Sequence, residues 1–188
     1  QAAHDQVTAV AREWLPDAAT QHDAPQPETL LAAVAQPVPD QADNAMLAGI
    51  LHDIGKLVLA DYFGMEYAQV CMAAETADLP LLNAELDQFD ASHADIGGYL
   101  LGLWGLPQEL IEAVALHHDP SAHEGTDFSP LTAVHVANAL VHATLEGNED
   151  PESLRMTAKY DRRYLTRLRC ERRLSDWEEI AMSMATTC

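Results

Sequence analysis

The sequence predicts an all-α protein, and three observations support this prediction. Apolar residues recur at helical spacing along most of the chain, no stretch alternates apolar and polar residues as a half-buried strand does, and helix-start signals precede several apolar segments. A length of 188 residues and a hydrophobic content of 48% suffice for one core of ordinary size. We therefore expect a single helical domain over residues 1–188.

Residues 1–40 predict a helix followed by a proline-rich excursion. Apolar residues at helical spacing predict the helix over residues 2–15. Five prolines between residues 16 and 40 interrupt this pattern and leave room only for a short helix from about Glu28 to Ala35. We expect the excursion over residues 16–40 to lie outside the core.

The predicted core spans residues 43–145. Helical spacing covers residues 42–63, where Gly55 is expected to break the helix, and continues through residues 66–77 and 80–88. Ser92 and Asp95 then predict a capping box at the start of an apolar helix that runs to Trp104. The remaining predicted helices run from Pro107, as the first helical residue, to His117, from Pro130 to Leu145, and from about Ser175 onward within an Arg-rich tail over residues 150–188.

The charge balance argues against two classes of partner. Thirty acidic residues face ten basic ones, and the formal net charge is −20. A field of this sign repels nucleic-acid phosphates and anionic lipid headgroups, so we expect neither nucleic acid nor a membrane as partner. Three cysteines without close spacing are typical of a reduced cytoplasmic protein. The first residue is not Met, and we expect further sequence upstream.

A histidine and an aspartate stand side by side in the aliphatic stretch "LHDIGKLVLA". Adjacent side chains on a regular helix point about 100° apart, so His52 and Asp53 can reach one ion only where the helix ends or bends. Gly55 is expected to provide the bend. Imidazole and carboxylate suit a divalent cation, and Lys56 could then hold an anionic phosphoryl oxygen. The alternative is that Asp53 accepts backbone N–H bonds while Lys56 faces solvent.

These residues also carry a family resemblance. The stretch "AGILHDIGKLVLA" resembles the central signature of the HD superfamily. The later stretches "SHADIGGYLLGLWGLPQELIEAVALHHDP" and "LTAVHVANAL" are similar to HDOD domains, the HD-related output domains of bacterial signalling proteins. The resemblance covers residues 43–145 and implies an HD-domain-like helical bundle. It also implies a place in signal transduction, for example in a response regulator of a two-component system.

The resemblance further implies a set of metal ligands for one or two divalent ions, such as Fe, Mn, Mg, Ni or Zn. Matched position by position, the implied ligands are His4, His52, Asp53, His93, His118 and Asn138. His117 is the alternative to His118 at its position. Asn138 stands where catalytic relatives carry an aspartate, and its neutral amide is a weaker ligand than a carboxylate.

Two functions follow from the resemblance. The first is a regulatory, non-catalytic output module with protein partners, or an upstream receiver or sensor domain, and with a homodimer left open. The second is a metal-dependent phosphohydrolase or phosphodiesterase acting on a nucleotide or cyclic dinucleotide, with Lys56 stabilising charge. Asn138, and the absence of a Gly-Tyr-Pro element after the second histidine pair, favour the first. A helical scaffold without any site is a third alternative, because single core histidines are more often packing residues than ligands.

Overall fold

The computed structural model describes residues 27–35, 39–145 and 150–185, and every regular element in these ranges is a helix. The all-α prediction is confirmed. The predicted helix over residues 2–15, which includes His4, lies outside the described residues. The α-helices are α1 (Pro27–Ala35), α2 (Pro39–Leu51), α3 (Ile54–Phe63), α4 (Met65–Thr76), α5 (Leu81–Phe89), α6 (His93–Leu103), α7 (Gln108–Ala115), α8 (Pro130–Leu145), α9 (Pro151–Thr157), α10 (Arg162–Arg167) and α11 (Leu174–Ala185). Short 3₁₀ turns cover Pro120–Ala122 and Glu171–Arg173.

The main core surrounds α8, which packs against α1, α2, α7 and α11. Its apolar side chains are fully enclosed, as Leu140 of α8 and Trp177 of α11 illustrate. Helix α1 belongs to this core, because Leu30 and Val34 have no exposed surface. A helix within the proline-rich stretch is therefore a packing element, although we expected that stretch to lie outside the core. The burial of apolar surface is what holds these short helices in place.

A second layer covers one side of the main core. Helix α3 packs against α4 and α6, α4 packs against α5, and α6 packs against α7. A small apolar cluster of Leu59, Tyr67 and Cys71 joins α3 to α4. Among the helices of the described ranges, none has both the length and the apolar character that crossing a bilayer requires.

The break between α2 and α3 falls at His52 and Asp53, two residues before the predicted position. Gly55 lies inside α3 and does not break the helix, so that prediction was wrong. A Cβ atom at Gly55 would lie 1.9 Å from the carbonyl oxygen of His93, closer than any two such atoms can approach. Gly55 therefore allows the first turn of α3 to contact the first residue of α6.

The predicted start of α6 is confirmed, and the predicted start of α7 is one residue too early. Ser92 and Asp95 form the predicted capping box at the start of α6. Pro107 is the N-cap of α7 and not its first helical residue, with ψ of 142°, so the helix begins at Gln108. Helix α7 ends at Ala115, before the histidine pair, which leaves His117 in the turn that follows.

Candidate metal centre

Three helix ends meet at one point on the side of the molecule where α2, α3, α6 and α7 come together. His52 and Asp53 lie at the α2–α3 junction, His93 is the first residue of α6, and His117 and His118 follow α7. We refer to these five residues as the His–Asp cluster.

Two glycines of α6 allow the close packing that brings these helix ends together. A Cβ atom at Gly98 would lie 2.7 Å from the Cβ of Ala115, and one at Gly97 would lie 2.9 Å from Cγ1 of Val114. Larger residues at these positions would push α6 away from α7. The small residues therefore determine how near His93 comes to the histidine pair.

Three imidazoles surround the Asp53 carboxylate, and a fourth contacts one of these three. Oδ1 of Asp53 lies 3.4 Å from Nε2 of His93 and 4.0 Å from Nε2 of His117. Oδ2 lies 3.4 Å from Nε2 of His52. Nε2 of His118 lies 3.0 Å from Nε2 of His93 and completes the arrangement.

The tautomers of three cluster imidazoles follow from their hydrogen bonds. Each Nδ1 faces an oxygen that can only accept, so Nδ1 carries a hydrogen and the neutral ring has its lone pair on Nε2. The bonded pairs are His52 Nδ1 with the carbonyl of Gly49 (2.7 Å), His117 Nδ1 with the carbonyl of Val114 (2.7 Å), and His93 Nδ1 with Oε2 of Glu85 (2.6 Å). All three lone pairs are therefore on the nitrogen atoms nearest to Asp53.

Electrostatics keep three members of the cluster in the ligand form at neutral pH. Burial alone would raise the pKa of Asp53, but the neighbouring His52 and Lys56 outweigh burial and hold that pKa well below its usual range. Burial, together with His118 and His52, lowers the pKa of His117 to about 2. Loss of solvent around the ring, together with His93, lowers the pKa of His118 to about 4. Asp53 is thus ionised, and His117 and His118 are neutral.

The cluster contains polar atoms that an ion would satisfy. Oδ1 of Asp53 and Nε2 of His117 are buried and have no hydrogen-bond partner. Leaving such groups unpaired is costly, and a divalent cation would pair both at once. Two groups of three ligand atoms, each within 4.8 Å of one another, share His117: one group adds His93 and His118, the other His52 and Asp53. Imidazole and carboxylate donors in this number fit one or two divalent cations.

The structure brings together four of the six residues expected as ligands: His52, Asp53, His93 and His118. It adds His117, the alternative that was set second to His118. His4 lies outside the described residues. Asn138 is partly buried on α8, one turn after His135, whose Nδ1 donates to the carbonyl of His117. Ligation by Asn138 stays a prediction.

Lys56 contacts the His–Asp cluster, and its role in holding a phosphoryl oxygen stays a prediction. Its ammonium donates to Oδ2 of Asp53 at 2.7 Å, and the side chain is only partly exposed. The cation is thus engaged with the carboxylate of the cluster itself, one helical turn earlier in the chain.

Glu85 is a functional candidate that the sequence analysis missed. Its carboxylate is fully buried and contacts His93. Burial alone would raise the pKa of Glu85, but the bonds from His93 and then Tyr67 reverse that effect and lower the pKa. A signal was present in the sequence, because Glu85 lies four residues after Leu81 and four before Phe89, on the apolar face of α5. A carboxylate on such a face needs a buried partner.

Comparisons with known proteins agree with this architecture. Residues 29–120 match the HDOD domain family. A candidate phosphohydrolase of Shewanella amazonensis SB2B shares the fold with a TM-score of 0.56 at 18% identity, over 85% of this chain and 61% of its own. An HDOD domain protein with unknown function from Geobacter sulfurreducens gives a TM-score of 0.53 at 19% identity, over 84% of this chain and 61% of its own.

Two further proteins are similar over part of their length. A candidate signal transduction protein of Marinobacter aquaeolei VT8 gives a TM-score of 0.52 at 20% identity, over 96% of this chain and 44% of its own. An uncharacterized protein of Treponema pallidum (strain Nichols) is 25% identical over 100 residues, which are 52% of this chain and 19% of that protein. The chain therefore spans less than two thirds of each of these proteins, and the structural likeness concerns the fold.

Proposed function

Since residues 29–120 form an HDOD domain, we propose that the chain is a regulatory output module of signal transduction that binds a divalent metal ion at the His–Asp cluster. One observation carries the metal-binding part. The imidazoles of His52, His93 and His117 are each held by an Nδ1 hydrogen bond in the tautomer that turns an Nε2 lone pair toward Asp53. Three Nε2 atoms within 4.0 Å of an ionised carboxylate are a preformed ligand set.

The His–Asp cluster would hold the ion, which supplies Lewis acidity when bound. The chain itself contributes the geometry. It keeps the imidazoles of His117 and His118 neutral, holds Asp53 ionised, and brings together helix ends that are far apart in sequence. Ligands on the α2–α3 junction, α6 and the turn after α7 would tie these elements to one another, so that metal loading favours one arrangement of their outer surfaces.

The surroundings of the cluster favour regulation over catalysis. Lys56 is engaged with Asp53, so part of its ammonium charge is already offset at the cluster. The net charge of −20 also disfavours the gathering of an anionic substrate. Helix α6, which begins at His93, exposes the large apolar side chains of Tyr99 and Leu103 toward its other end, and the exposed Trp104 follows directly. Exposed apolar residues in one region are typical of contact sites for proteins, so they support a protein partner or an adjoining receiver or sensor domain.

A metal-dependent phosphohydrolase is the second candidate function. It is favoured by the two overlapping groups of three ligands that share His117, since pairs of metal ions are used for phosphoryl chemistry. The similarity in fold to the candidate phosphohydrolase from Shewanella points the same way. In this function Lys56 would contact a phosphoryl oxygen with the N–H donors that Asp53 does not use.

Metal analysis combined with a phosphodiesterase assay separates the two functions. The protein is purified without chelator, its metal content is measured, and a generic phosphodiester is offered with Mn²⁺, Fe²⁺ or Ni²⁺. We expect metal in the wild type, loss of metal in Asp53→Ala, and no turnover with any ion. Asp61→Ala, which removes an exposed carboxylate from the helix that follows Asp53, is the matched control and should keep its metal.

Turnover that Asp53→Ala abolishes and Asp61→Ala retains would establish the phosphohydrolase instead. A folded wild-type protein that takes up no divalent ion at all would overturn the metal-binding part of the proposal.

A further inference from the structure

Behind His93, on the side away from Asp53, lies a buried carboxylate that receives three hydrogen bonds. Oε2 of Glu85 accepts from the backbone N–H of His93 at 2.8 Å and from its ring Nδ1–H at 2.6 Å. Oε1 accepts from the hydroxyl of Tyr67 at 2.7 Å. Glu85 and His93 are almost wholly enclosed, with 0% and 1% of their surface exposed. Strong bonds to a charged acceptor offset the free energy that burial of the carboxylate costs.

The two hydrogen bonds from His93 to Glu85 fix both the start of α6 and the orientation of the imidazole ring. The backbone bond anchors the first residue of α6 to α5, and the ring bond sets the rotation of the imidazole relative to that anchor. The same oxygen accepts both, so the start of the helix and the direction of Nε2 depend on one carboxylate. The capping box of Ser92 and Asp95 occupies other N–H groups of the same helix end.

The acceptor of the Nδ1 hydrogen bond is different for His93 than for two other members of the cluster. Nδ1 of His52 and Nδ1 of His117 donate to neutral backbone carbonyls, whereas Nδ1 of His93 donates to a carboxylate. A carboxylate behind an imidazole increases the electron density at the opposite nitrogen and so strengthens it as a ligand. His93 should therefore be the strongest imidazole donor of these three.

We propose that Glu85 is a positioning residue of the metal centre: it fixes the orientation and tautomer of His93 and strengthens Nε2 of His93 as a metal ligand, while Tyr67 holds the carboxylate from its other oxygen. The inference rests on the proposed metal-binding function and deepens it, because it assigns a determinant of metal affinity to a residue that does not touch the metal. Glu85 lies on α5, which contributes no member of the His–Asp cluster.

A double-mutant cycle on metal affinity tests the assignment. The dissociation constant for Mn²⁺ or Zn²⁺ is measured by titration calorimetry for wild type, Glu85→Gln, His93→Ala and the double variant. Glutamine keeps the shape and one acceptor oxygen but removes the charge, and we expect affinity to fall by about tenfold to hundredfold. In the His93→Ala background the same change should have no further effect, because Glu85 acts through that ring.

Two further variants separate this effect from general charge and packing effects. Asp87→Asn removes an exposed carboxylate from the same helix and should leave affinity unchanged. Tyr67→Phe disturbs the buried environment but leaves both bonds between Glu85 and His93, so its loss of affinity should be smaller than that of Glu85→Gln. An equal effect of Glu85→Gln with and without His93, or a larger loss in Tyr67→Phe, would overturn the inference.

A spectroscopic measurement on the metal-free wild type needs no variant. The ¹⁵N chemical shifts of the His93 ring should identify Nδ1 as the protonated nitrogen and Nε2 as the bare one. A ring protonated at Nε2 would overturn the positioning role. A wild type that binds no metal overturns the proposed function and the claim on ligand strength, whereas wild-type binding unaffected by Glu85→Gln overturns this inference alone.

Discussion

At the scale of single residues, the hydrogen-bond acceptor of each imidazole decides how that imidazole faces the cluster. The sequence and its family resemblance pointed to His52, Asp53, His93 and His118, because these residue types stand out in apolar helices. They did not reveal which nitrogen of each ring faces inward, since that depends on acceptors such as Gly49 and Glu85. The place of Glu85 on an apolar face indicates that it needs a buried partner. The sequence did not show that this partner is His93, which lies eight residues away across a helix junction.

The metal-free protein should lose stability as the pH falls below about 6.5. In the unfolded chain His117 takes up a proton near its ordinary pKa of 6.5, whereas in the folded protein that pKa is about 2. Between these values the unfolded state binds more protons, so the free energy of unfolding falls with falling pH, by up to about 1.4 kcal/mol per pH unit. Above about pH 6.5 the ring is neutral in both states and contributes no pH dependence.

Urea unfolding in the presence of a chelator, from about pH 7 to about pH 5, measures this slope. His117→Asn removes the titrating ring and should give a shallower dependence on pH than wild type. Equal slopes for the two proteins would contradict the buried, neutral state of His117. The contribution of Asp53 has the same sign but belongs to lower pH, because its depressed pKa matters only as the pH falls below the ordinary value of 3.8.

At the scale of helices, the positions of the elements were largely predictable and their contacts were not. Helical spacing located α3 to α8 to within a few residues, and the capping box at Ser92 located the start of α6. Gly55 was misread as a helix breaker because a glycine in a helical pattern can also mark a close approach, and only the packing distinguishes the two. Its role appears in the distance to His93, 38 positions further along the printed sequence.

Gly55→Ala should therefore destabilise the protein and weaken metal binding together. The new methyl group would meet backbone atoms of His93, so α3 and α6 must move apart. We expect a loss of about 1–3 kcal/mol in the free energy of unfolding, as for other overpacked sites. Urea unfolding and metal titration measure the two effects.

Gly102→Ala is the matched control for this change. A Cβ atom there would have only Ile111 Cδ1 near it, at 3.9 Å, and alanine should stabilise the helix by about 0.5–1 kcal/mol. If Gly55→Ala proved as stable as Gly102→Ala, the close contact between α3 and α6 would be excluded.

At the scale of the whole molecule, the cluster is a product of the tertiary fold. Its residues come from positions 52 to 118 and meet only because α6 packs tightly on both α3 and α7. The fold class could be predicted from the helical spacing of apolar residues, and the family resemblance pointed to four of the residues that meet in the cluster. The inclusion of α1 and of Trp177 in the core could not, because burial of those segments depends on surfaces formed by distant helices.

X-ray absorption spectroscopy of the zinc-loaded protein tests most directly whether the His–Asp cluster holds a metal ion. The account predicts outer-shell scattering from imidazole rings of the cluster together with an oxygen ligand in the wild type, and no bound zinc in Asp53→Ala. Zinc surrounded by oxygen atoms alone, without imidazole scattering, would contradict it.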